Sequence, residues 1–89
     1  MEISFDPAKN VLNIKLRGLS FERAADFDFD TATYCMDTRR DYGETRIRAF
    51  GYLNKRLYAL VFVETNSGIR VISFRKSNKR EVGIYESQT

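Results

Sequence analysis

The alternation of apolar and polar residues predicts one strand and two helices in the first third of the chain. Residues 2–5 show the period of two that is typical of a half-buried strand. Asp6 and Pro7 then supply an N-cap and a first helical residue, and Gly18 is a typical residue just beyond a helix C-terminus. We therefore expect a helix from Pro7 to about Arg17. A second helix is expected from the cap and apolar stripe that follow it, Ser20, Phe21, Ala24 and Ala25.

The middle of the chain has the period of strands. A short strand is expected at 34–37, followed by a polar turn at 38–43. Residues 45–53 alternate, so they should form a strand with two different faces. One face is expected to carry Ile47, Ala49, Gly51 and Leu53, and the other Arg46, Arg48, Phe50 and Tyr52.

Two more strands and a last helix complete the predicted set. A hairpin turn at 54–55 leads into the apolar run 57–63, which is typical of a central strand covered on both faces. A second turn at 66–68 precedes a strand over 69–75. Ser77 or Asn78 should then cap a final helix with the apolar residues Val82, Ile84 and Tyr85.

The order of these elements predicts an α+β fold. With 89 residues, of which 43% are apolar, the chain can form one core and one domain, spanning 1–89. We expect an antiparallel sheet packed against two N-terminal helices, with a C-terminal helix after the sheet.

Two features of the composition exclude common kinds of catalytic and metal site. The chain has no histidine and a single cysteine, Cys35, so it cannot form an intrachain disulfide, a thiolate metal cluster or an imidazole-dependent hydrolase site. The spaced acids Asp26, Asp28 and Asp30 match a calcium-binding loop poorly, because the sixth and twelfth positions are Thr31 and Asp37. We expect no metal and no cofactor, and any catalysis has to use Arg, Lys, Tyr, Asp or Glu.

The net charge of +3 is unevenly distributed along the chain. Residues 1–43 have six basic and eight acidic side chains, whereas residues 44–89 have nine basic and four acidic ones. A basic half-domain is typical of a partner rich in phosphate, although a solvated surface is the simpler alternative. The longest apolar run is too short to cross a bilayer and no secretory signal is evident, so we expect a cytoplasmic protein without a membrane partner.

Three groups of residues along the chain carry a recognisable order and spacing. The first is Phe5-Asp6-Pro7-x-Lys9-x-x-x-Asn13 with Gly18-x-Ser20-Phe21-Glu22. The second is Gly43-Glu44-x-Arg46-x-x-x-x-Gly51. The third is Arg70-x-Ile72-Ser73-x-Arg75-Lys76, continuing to Arg80-Glu81 and Tyr85-Glu86.

In order and spacing these three groups resemble the signatures of BrnT-type ribonuclease toxins. The resemblance implies a toxin of a type II toxin–antitoxin module with a RelE-like fold. It also implies cleavage of RNA without a metal, and neutralisation by a BrnA-like ribbon-helix-helix antitoxin through which the complex binds operator DNA. One departure matters, because the family commonly has Lys-His before the glycine where this chain has Leu16-Arg17. Arginine cannot shuttle a proton as histidine does. An impaired member that binds antitoxin or RNA without cutting is therefore an alternative, and a plain adaptor domain is a third.

Metal-free cleavage needs a group that orients or deprotonates the 2′-hydroxyl, cations for the phosphate charge and an acid for the leaving oxygen. The expected catalytic residues are Arg46, Arg70, Arg75, Lys9, Glu22, Glu81 and Tyr85, with Asn13 in a supporting position. The expected contacts to the RNA backbone are Arg17, Arg48, Lys76, Lys79 and Arg80, with Lys55 and Arg56 as weaker candidates. The aromatic residues expected to stack on bases are Phe50, Tyr52 and Tyr85.

Each of these assignments has a structural alternative. Strand parity places Arg75 on the face opposite Arg70 unless a bulge intervenes. Glu81 lies three residues after Asn78, which is the spacing of a capping box. Arg46 and its neighbours could form ion pairs with Glu44 and Glu64, and Tyr85 could belong to the core.

Overall fold

Five strands form one mixed sheet in the computed structural model, which describes residues 1–89. The strands are β1 (Glu2–Phe5), β2 (Thr33–Met36), β3 (Ile47–Leu53), β4 (Arg56–Glu64) and β5 (Gly68–Lys76), in the spatial order β1-β5-β4-β3-β2. The α-helices are α1 (Pro7–Arg17) and α2 (Lys79–Gln88), and a 3₁₀ helix spans Phe21–Asp26. The predicted α+β class is confirmed. Neither α-helix has the length and apolar character needed to cross a membrane.

The bounds of α1 are those expected from its capping residues. The Asp6 side chain accepts a hydrogen bond from the backbone N–H of Ala8, and Pro7 occupies the first turn. At the other end Gly18 has a φ of 65° and donates its N–H to the carbonyl of Ile14. A left-handed residue in this position is favourable for glycine and costly for others, so the chain turns here.

The second predicted helix is shorter and tighter than expected. Ser20 caps it as predicted, but the backbone forms a 3₁₀ helix and is already extended at Phe27. The Asp28 carboxylate accepts hydrogen bonds from the backbone N–H groups of Asp30 and Thr31. Aspartate competes for backbone donors in this way, and it is unfavourable at a helix C-terminus, so the acidic segment forms a turn instead.

The prediction of a wholly antiparallel sheet is wrong. Strand β1 pairs in parallel with β5, in the register Glu2 to Gly68 and Phe5 to Val71, whereas the other neighbours are antiparallel. A Cβ atom at Gly68 would collide with the backbone of Glu2, so the close approach of the two strands requires glycine here. The alternation of residues within a strand shows which side chains share a face. It does not show whether a strand some 65 residues away will pair with it in parallel or antiparallel.

The core lies on one face of the sheet. The strands contribute buried residues to it, together with the 3₁₀ segment: Ala49, Leu53, Leu60, Phe62, Ile69, Val71, Phe74, Leu19, Phe21, Ala24 and Phe27. Ile47 packs against this cluster and Gly51 is buried, so the predicted core face of β3 is confirmed. The opposite face of the same strand carries Arg46, Arg48, Phe50 and Tyr52, as expected from the alternation.

A β-bulge in β5 changes the side to which its later residues point. Val61 pairs with Ser73 but the next residue, Phe62, pairs with Val71, so Ile72 is an extra residue on β5. Arg70 pairs with Val63 and Arg75 pairs with Ala59, two positions of β4 that share the face opposite the core. The bulge thus places Arg70 and Arg75 on the same side of the sheet as Arg46 and Arg48.

Helix α1 is attached to the domain through asparagine side chains. The buried amide of Asn13 donates to the carbonyls of Leu19 at 2.9 Å and Phe74 at 3.0 Å. The Phe74 carbonyl lies beyond the last pair of β1 and β5, where this edge of β5 has no strand partner. One turn earlier, the Asn10 side chain accepts a hydrogen bond from the N–H of Phe21 at 2.7 Å.

We expect the substitution Asn13→Ala to lower the free energy of unfolding by about 2 kcal/mol, because two buried carbonyls lose their donor. For a domain of this size that corresponds to a fall of roughly 8–16 °C in Tm. The exposed hairpin residue Asn66 provides the control, and Asn66→Ala should shift Tm by less than about 3 °C. Equal melting curves for the two variants would contradict this role of Asn13.

Candidate active site

The face of the sheet opposite the core is covered at one end by α2. The ring of Tyr85 packs edge-on against Tyr52, with 5.6 Å between the centroids, and its hydroxyl donates to the carbonyl of Thr31 at 2.9 Å. Next to α2 the sheet is open and forms a hollow of about 110 Å³, which we call the cationic cleft. It is lined by Asp37, Arg39, Tyr42, Arg46, Arg48, Phe50, Ala59, Leu60, Val61, Ile72, Ser73 and Arg75.

Arg75 is held in the cationic cleft by the first turn of α2. Its two terminal nitrogens donate to the two carboxylate oxygens of Glu81, at 2.8 and 2.9 Å. Glu81 also forms a capping box with Asn78, as the spacing indicated. Hydrogen bonds from Arg75 lower the pKa of Glu81 to about 2, and the same pair raises the pKa of Arg75. Glu81 is therefore a weak base that orients a guanidinium.

Glu44 links two further arginines. One carboxylate oxygen accepts from Nε of Arg46 at 3.0 Å, and the other from a terminal nitrogen of Arg70 at 2.7 Å. The guanidinium carbon of Arg46 also lies 4.1 Å from the centroid of the Tyr42 ring. The predicted ion pair of Arg46 with Glu44 is confirmed, whereas Glu64 forms none. The single carboxylate of Glu44 thus fixes the positions of two guanidinium groups. The three side chains together keep a net positive charge.

A second bidentate pair forms the far wall of the cationic cleft. The buried Asp37 carboxylate accepts from Nε and Nη2 of Arg39 at 2.8 and 2.7 Å and from the hydroxyl of Tyr42 at 3.2 Å. The hydrogen bonds from Arg39 hold the pKa of Asp37 far below its usual range even though burial opposes ionisation. Asp37 therefore remains a buried anion that fixes the loop between β2 and β3 over the sheet.

Arg48 differs from the other arginines of the cleft because it has no ion-pair partner within 4 Å. Its guanidinium carbon lies 5.4 Å from the centroid of the Phe50 ring. It lines the cationic cleft together with Arg75 and, on its other side, a neighbouring hollow together with Glu81. The donors of Arg48 are thus available to an incoming anion.

A second, larger hollow adjoins the cationic cleft. It has a volume of about 320 Å³ and shares Arg48 and Phe50 with the cleft. Helix α2 and strand β2 form its other walls, with Thr33, Tyr34, Cys35, Asn78, Arg80, Glu81, Ile84, Tyr85 and Gln88. We call it the lateral hollow. Its lining is partly apolar, unlike that of the cationic cleft.

The structure brings together one part of the predicted site. Arg46, Arg48 and Arg75 line the cationic cleft, and Arg70 and Glu81 contact it through ion pairs. Arg80 and Tyr85 line the lateral hollow. Tyr85 is nevertheless buried, with its ring and hydroxyl both engaged, so it belongs to the packing of α2 as the alternative proposed.

Other predicted residues lie elsewhere. Lys9 and Glu22 are exposed on α1 and the 3₁₀ helix, and Lys76 pairs with Tyr58, whose ring packs toward the core. Arg17 donates to the Asn13 side chain at 2.6 Å and lines neither hollow. A third, shallow depression carries Lys79, Tyr52, Lys55 and Arg56.

Sequence reasoning missed the contribution of the loop before β3. Asp37, Arg39 and Tyr42 line the cationic cleft, although Asp37 was expected only to end a short strand and the other two only to belong to a polar turn. The available signal was an acid and a base two residues apart, followed by an aromatic residue, between two strands. Such a signal is weak, because loops commonly contain these residue types.

The cleft contains an excess of positive charge in a fixed arrangement. Five guanidinium groups, those of Arg39, Arg46, Arg48, Arg70 and Arg75, face three carboxylates, those of Asp37, Glu44 and Glu81. Planar guanidinium groups bind phosphate oxygens in pairs, and a cleft walled by the sheet strengthens this attraction. Fold and cleft together define a small α+β domain with a cationic cleft on the face of the sheet opposite the core.

Comparison with known proteins gives the family. The chain matches the ribonuclease toxin BrnT, of type II toxin–antitoxin systems, over residues 5–81, and it belongs to that family. The predicted resemblance is confirmed, and a ribonuclease toxin with RNA targets and an antitoxin partner is what membership implies. None of the curated proteins compared with the chain matches it.

We expect Glu81→Gln to lower the free energy of unfolding at pH 7 by about 1 kcal/mol, because Arg75 loses its counter-ion. This corresponds to a fall of roughly 4–8 °C in Tm. The folded pKa of Glu81 lies below its unfolded value of 4.5, so its stabilising effect is complete above pH 4.5 and disappears as the pH falls through about 2. Thermal melts of both proteins across this range measure the difference.

Glu86→Gln is the matched control, since Glu86 lies on the same helix, is exposed and forms no ion pair. It should melt within about 2 °C of the wild-type chain at every pH. A pH-independent difference between wild type and Glu81→Gln would show that the charge of Glu81 does not stabilise the fold.

Proposed function

We propose that the chain is a metal-independent endoribonuclease toxin with a RelE-like fold that is neutralised by a cognate BrnA-like ribbon-helix-helix antitoxin. The observation that carries this proposal is the gathering of five guanidinium groups at one open face, with Arg48 free of any carboxylate. Family membership supplies the reaction class, and the cleft supplies a place where a phosphodiester can bind.

The arginines of the cleft are suited to stabilise the charge that develops on phosphorus. In cleavage the 2′-hydroxyl gives up its proton as its oxygen attacks the phosphorus, the bond from phosphorus to the 5′-oxygen breaks, and the 5′-oxygen takes up a proton. Arg48 and Arg75 lie on adjacent parts of the cleft, where their donors can meet two non-bridging oxygens. Because Glu81 and Glu44 orient Arg75 and Arg46 beforehand, little reorganisation is needed when the charge forms.

Few groups of the cleft can transfer a proton. Asp37 and Glu81 are poor bases, since hydrogen bonds from arginine lower the pKa of each. The hydroxyl of Tyr42 faces the cleft and donates to Asp37, so it can give up or accept a proton near a bound phosphate. We assign proton transfer to Tyr42, a residue outside the predicted set, and charge stabilisation to the arginines.

The chemistry of the carboxylates supports metal independence. Glu44, Glu81 and Asp37 each use both oxygens to accept hydrogen bonds from arginine, so a magnesium ion would have to displace a guanidinium to find a ligand. No three side chains of His, Cys, Asp or Glu come close enough to hold a metal ion. In this proposal the arginines supply the positive charge that a metal ion supplies in metal-dependent nucleases.

The lateral hollow is suited to a nucleoside next to the bound phosphate. It shares Arg48 and Phe50 with the cleft, so a base could stack on Phe50 while its phosphate contacts Arg48. The exposed edge of Ile84 provides an apolar wall on the other side. Contacts of this kind are tolerant of sequence, and we expect a broad preference among RNA substrates.

A catalytically impaired member that binds antitoxin or RNA is the second candidate. The observation that favours it is the position of Arg17, which stands where the family commonly has histidine and is bound to Asn13 outside the cleft. The guanidinium groups would then hold an RNA or an acidic segment of the antitoxin without cutting. In either case operator DNA would be bound through the antitoxin.

We expect Arg48→Ala to lower the rate of RNA cleavage by about a hundredfold or more, because one phosphate-binding cation is removed from the transition state. The fold should be unaffected, since Arg48 forms no ion pair. Arg23→Ala, at an exposed arginine of the 3₁₀ helix that lines neither hollow, is the control and should cut at the wild-type rate. Unchanged cleavage by Arg48→Ala, measured with labelled RNA, would refute its assigned role.

We also expect the purified chain to cleave RNA in the presence of EDTA, leaving 2′,3′-cyclic phosphate and 5′-hydroxyl ends. Both ends can be identified by enzymatic end-labelling. Loss of cleavage on chelation, with recovery on adding magnesium, would contradict metal independence. Salt-sensitive binding of intact RNA without cleavage at any metal concentration would favour the impaired member.

A further inference from the structure

Helix α1 shows its apolar side chains to solvent. The exposed fractions are 69% for Leu16, 64% for Val11, 53% for Leu12 and 44% for Ile14. A helix on the surface of a folded domain normally buries such residues and exposes its polar ones. These four residues, which we call the apolar surface of α1, lie around the solvent-facing side of an 11-residue helix, with Lys15 among them.

The polar residues of α1 account for this inverted arrangement. Asn10, Asn13 and Arg17 are spaced three and four apart and share one face. That face meets the domain: Asn13 bonds to Leu19 and Phe74, Asn10 to Phe21, and Arg17 to Asn13. Because hydrogen bonds attach the helix, its apolar residues are not needed for the core and remain available to a partner.

The charges of α1 select the kind of partner. The helix carries Lys9, Lys15 and Arg17 and no acidic residue. Lys15 is four residues after Val11 and three after Leu12, so it lies beside the apolar surface. A segment with an apolar stripe and carboxylates would complement this pattern, whereas a second copy of the chain would bring its own Lys9 and Lys15 to the same place.

We propose that the apolar surface of α1 is the docking site of the antitoxin, through an amphipathic acidic helix of that protein. This inference rests on the proposed function for the existence of the partner but not on the chemistry of the cleft. The core lies on one face of the sheet and the cationic cleft on the other, and no residue of α1 lines the cleft. The surface therefore anchors the antitoxin outside the site at which RNA binds.

The test uses the full chain and the protein encoded by the reading frame next to its gene as the probe. In Val11→Glu with Leu12→Glu, two apolar contacts become carboxylates, and glutamate is a good helix former, so α1 should fold as before. We expect this variant to keep the wild-type rate of RNA cleavage and the wild-type Tm. Its affinity for the probe, measured by titration calorimetry, should fall by about a hundredfold or more.

Two further variants separate the contributions of apolar contact and charge. Lys15→Glu should weaken binding by about tenfold, and this difference should shrink at high salt. Met36→Glu is the matched control, since Met36 is a large apolar residue of β2 with 64% exposure outside α1. It should bind the probe as tightly as the wild-type chain does.

Several outcomes would overturn this inference. They are wild-type affinity in the double variant, absence of binding between the wild-type chain and the probe, and a dimer of the chain alone that dissociates when Val11 and Leu12 are replaced. Failure of the nuclease proposal is distinguishable from these. A wild-type chain that cuts no RNA but binds the probe through α1 would refute the nuclease assignment and support the docking site.

Discussion

The extra residue in β5 is the constraint on which both the core and the cleft depend. A regular strand would present Val71, Ser73 and Arg75 on one side. Because Ile72 is inserted, Val71 and Phe74 both enter the core while Arg75 joins Arg70 on the open face. Bulges commonly redirect side chains next to active sites. The bulge at Ile72 allows apolar side chains to pack on one side of the sheet and arginines to cluster on the other.

Clustering of five guanidinium groups would be unfavourable without counter-ions, and three carboxylates offset the repulsion. Their arrangement does more than neutralise charge. Asp37 and Glu81 hold one arginine each in bidentate geometry, and Glu44 joins Arg46 to Arg70. A site whose donors are already in place binds a developing charge without reorganising. Under the proposed function the ion pairs would serve this preorganisation even where their effect on stability is small.

The sequence allowed prediction of the features that depend on local chemistry. Three predicted features depend only on neighbouring residues and are present in the structure. They are the caps of α1, the capping box of Glu81 and the two faces of β3. The parallel pairing of β1, the bulge at Ile72 and the attachment of α1 by Asn13 depend on contacts between distant residues, and no local pattern contains them. The family resemblance drew attention to Arg46 and Arg75, which line the cationic cleft, while no pattern indicated that Asp37, Arg39 and Tyr42 would line it too.

The double role of Glu81 has a consequence for the dynamics of the cleft. Its carboxylate accepts from the N–H of Asn78 at the start of α2 and from Arg75 in the sheet. When the first turn of α2 opens, the guanidinium loses its anchor in the same event. Local opening of a helix end is far less costly than global unfolding. The time for which Arg75 stays oriented is thus limited by the fraying of α2, and amide exchange in that turn reports on it.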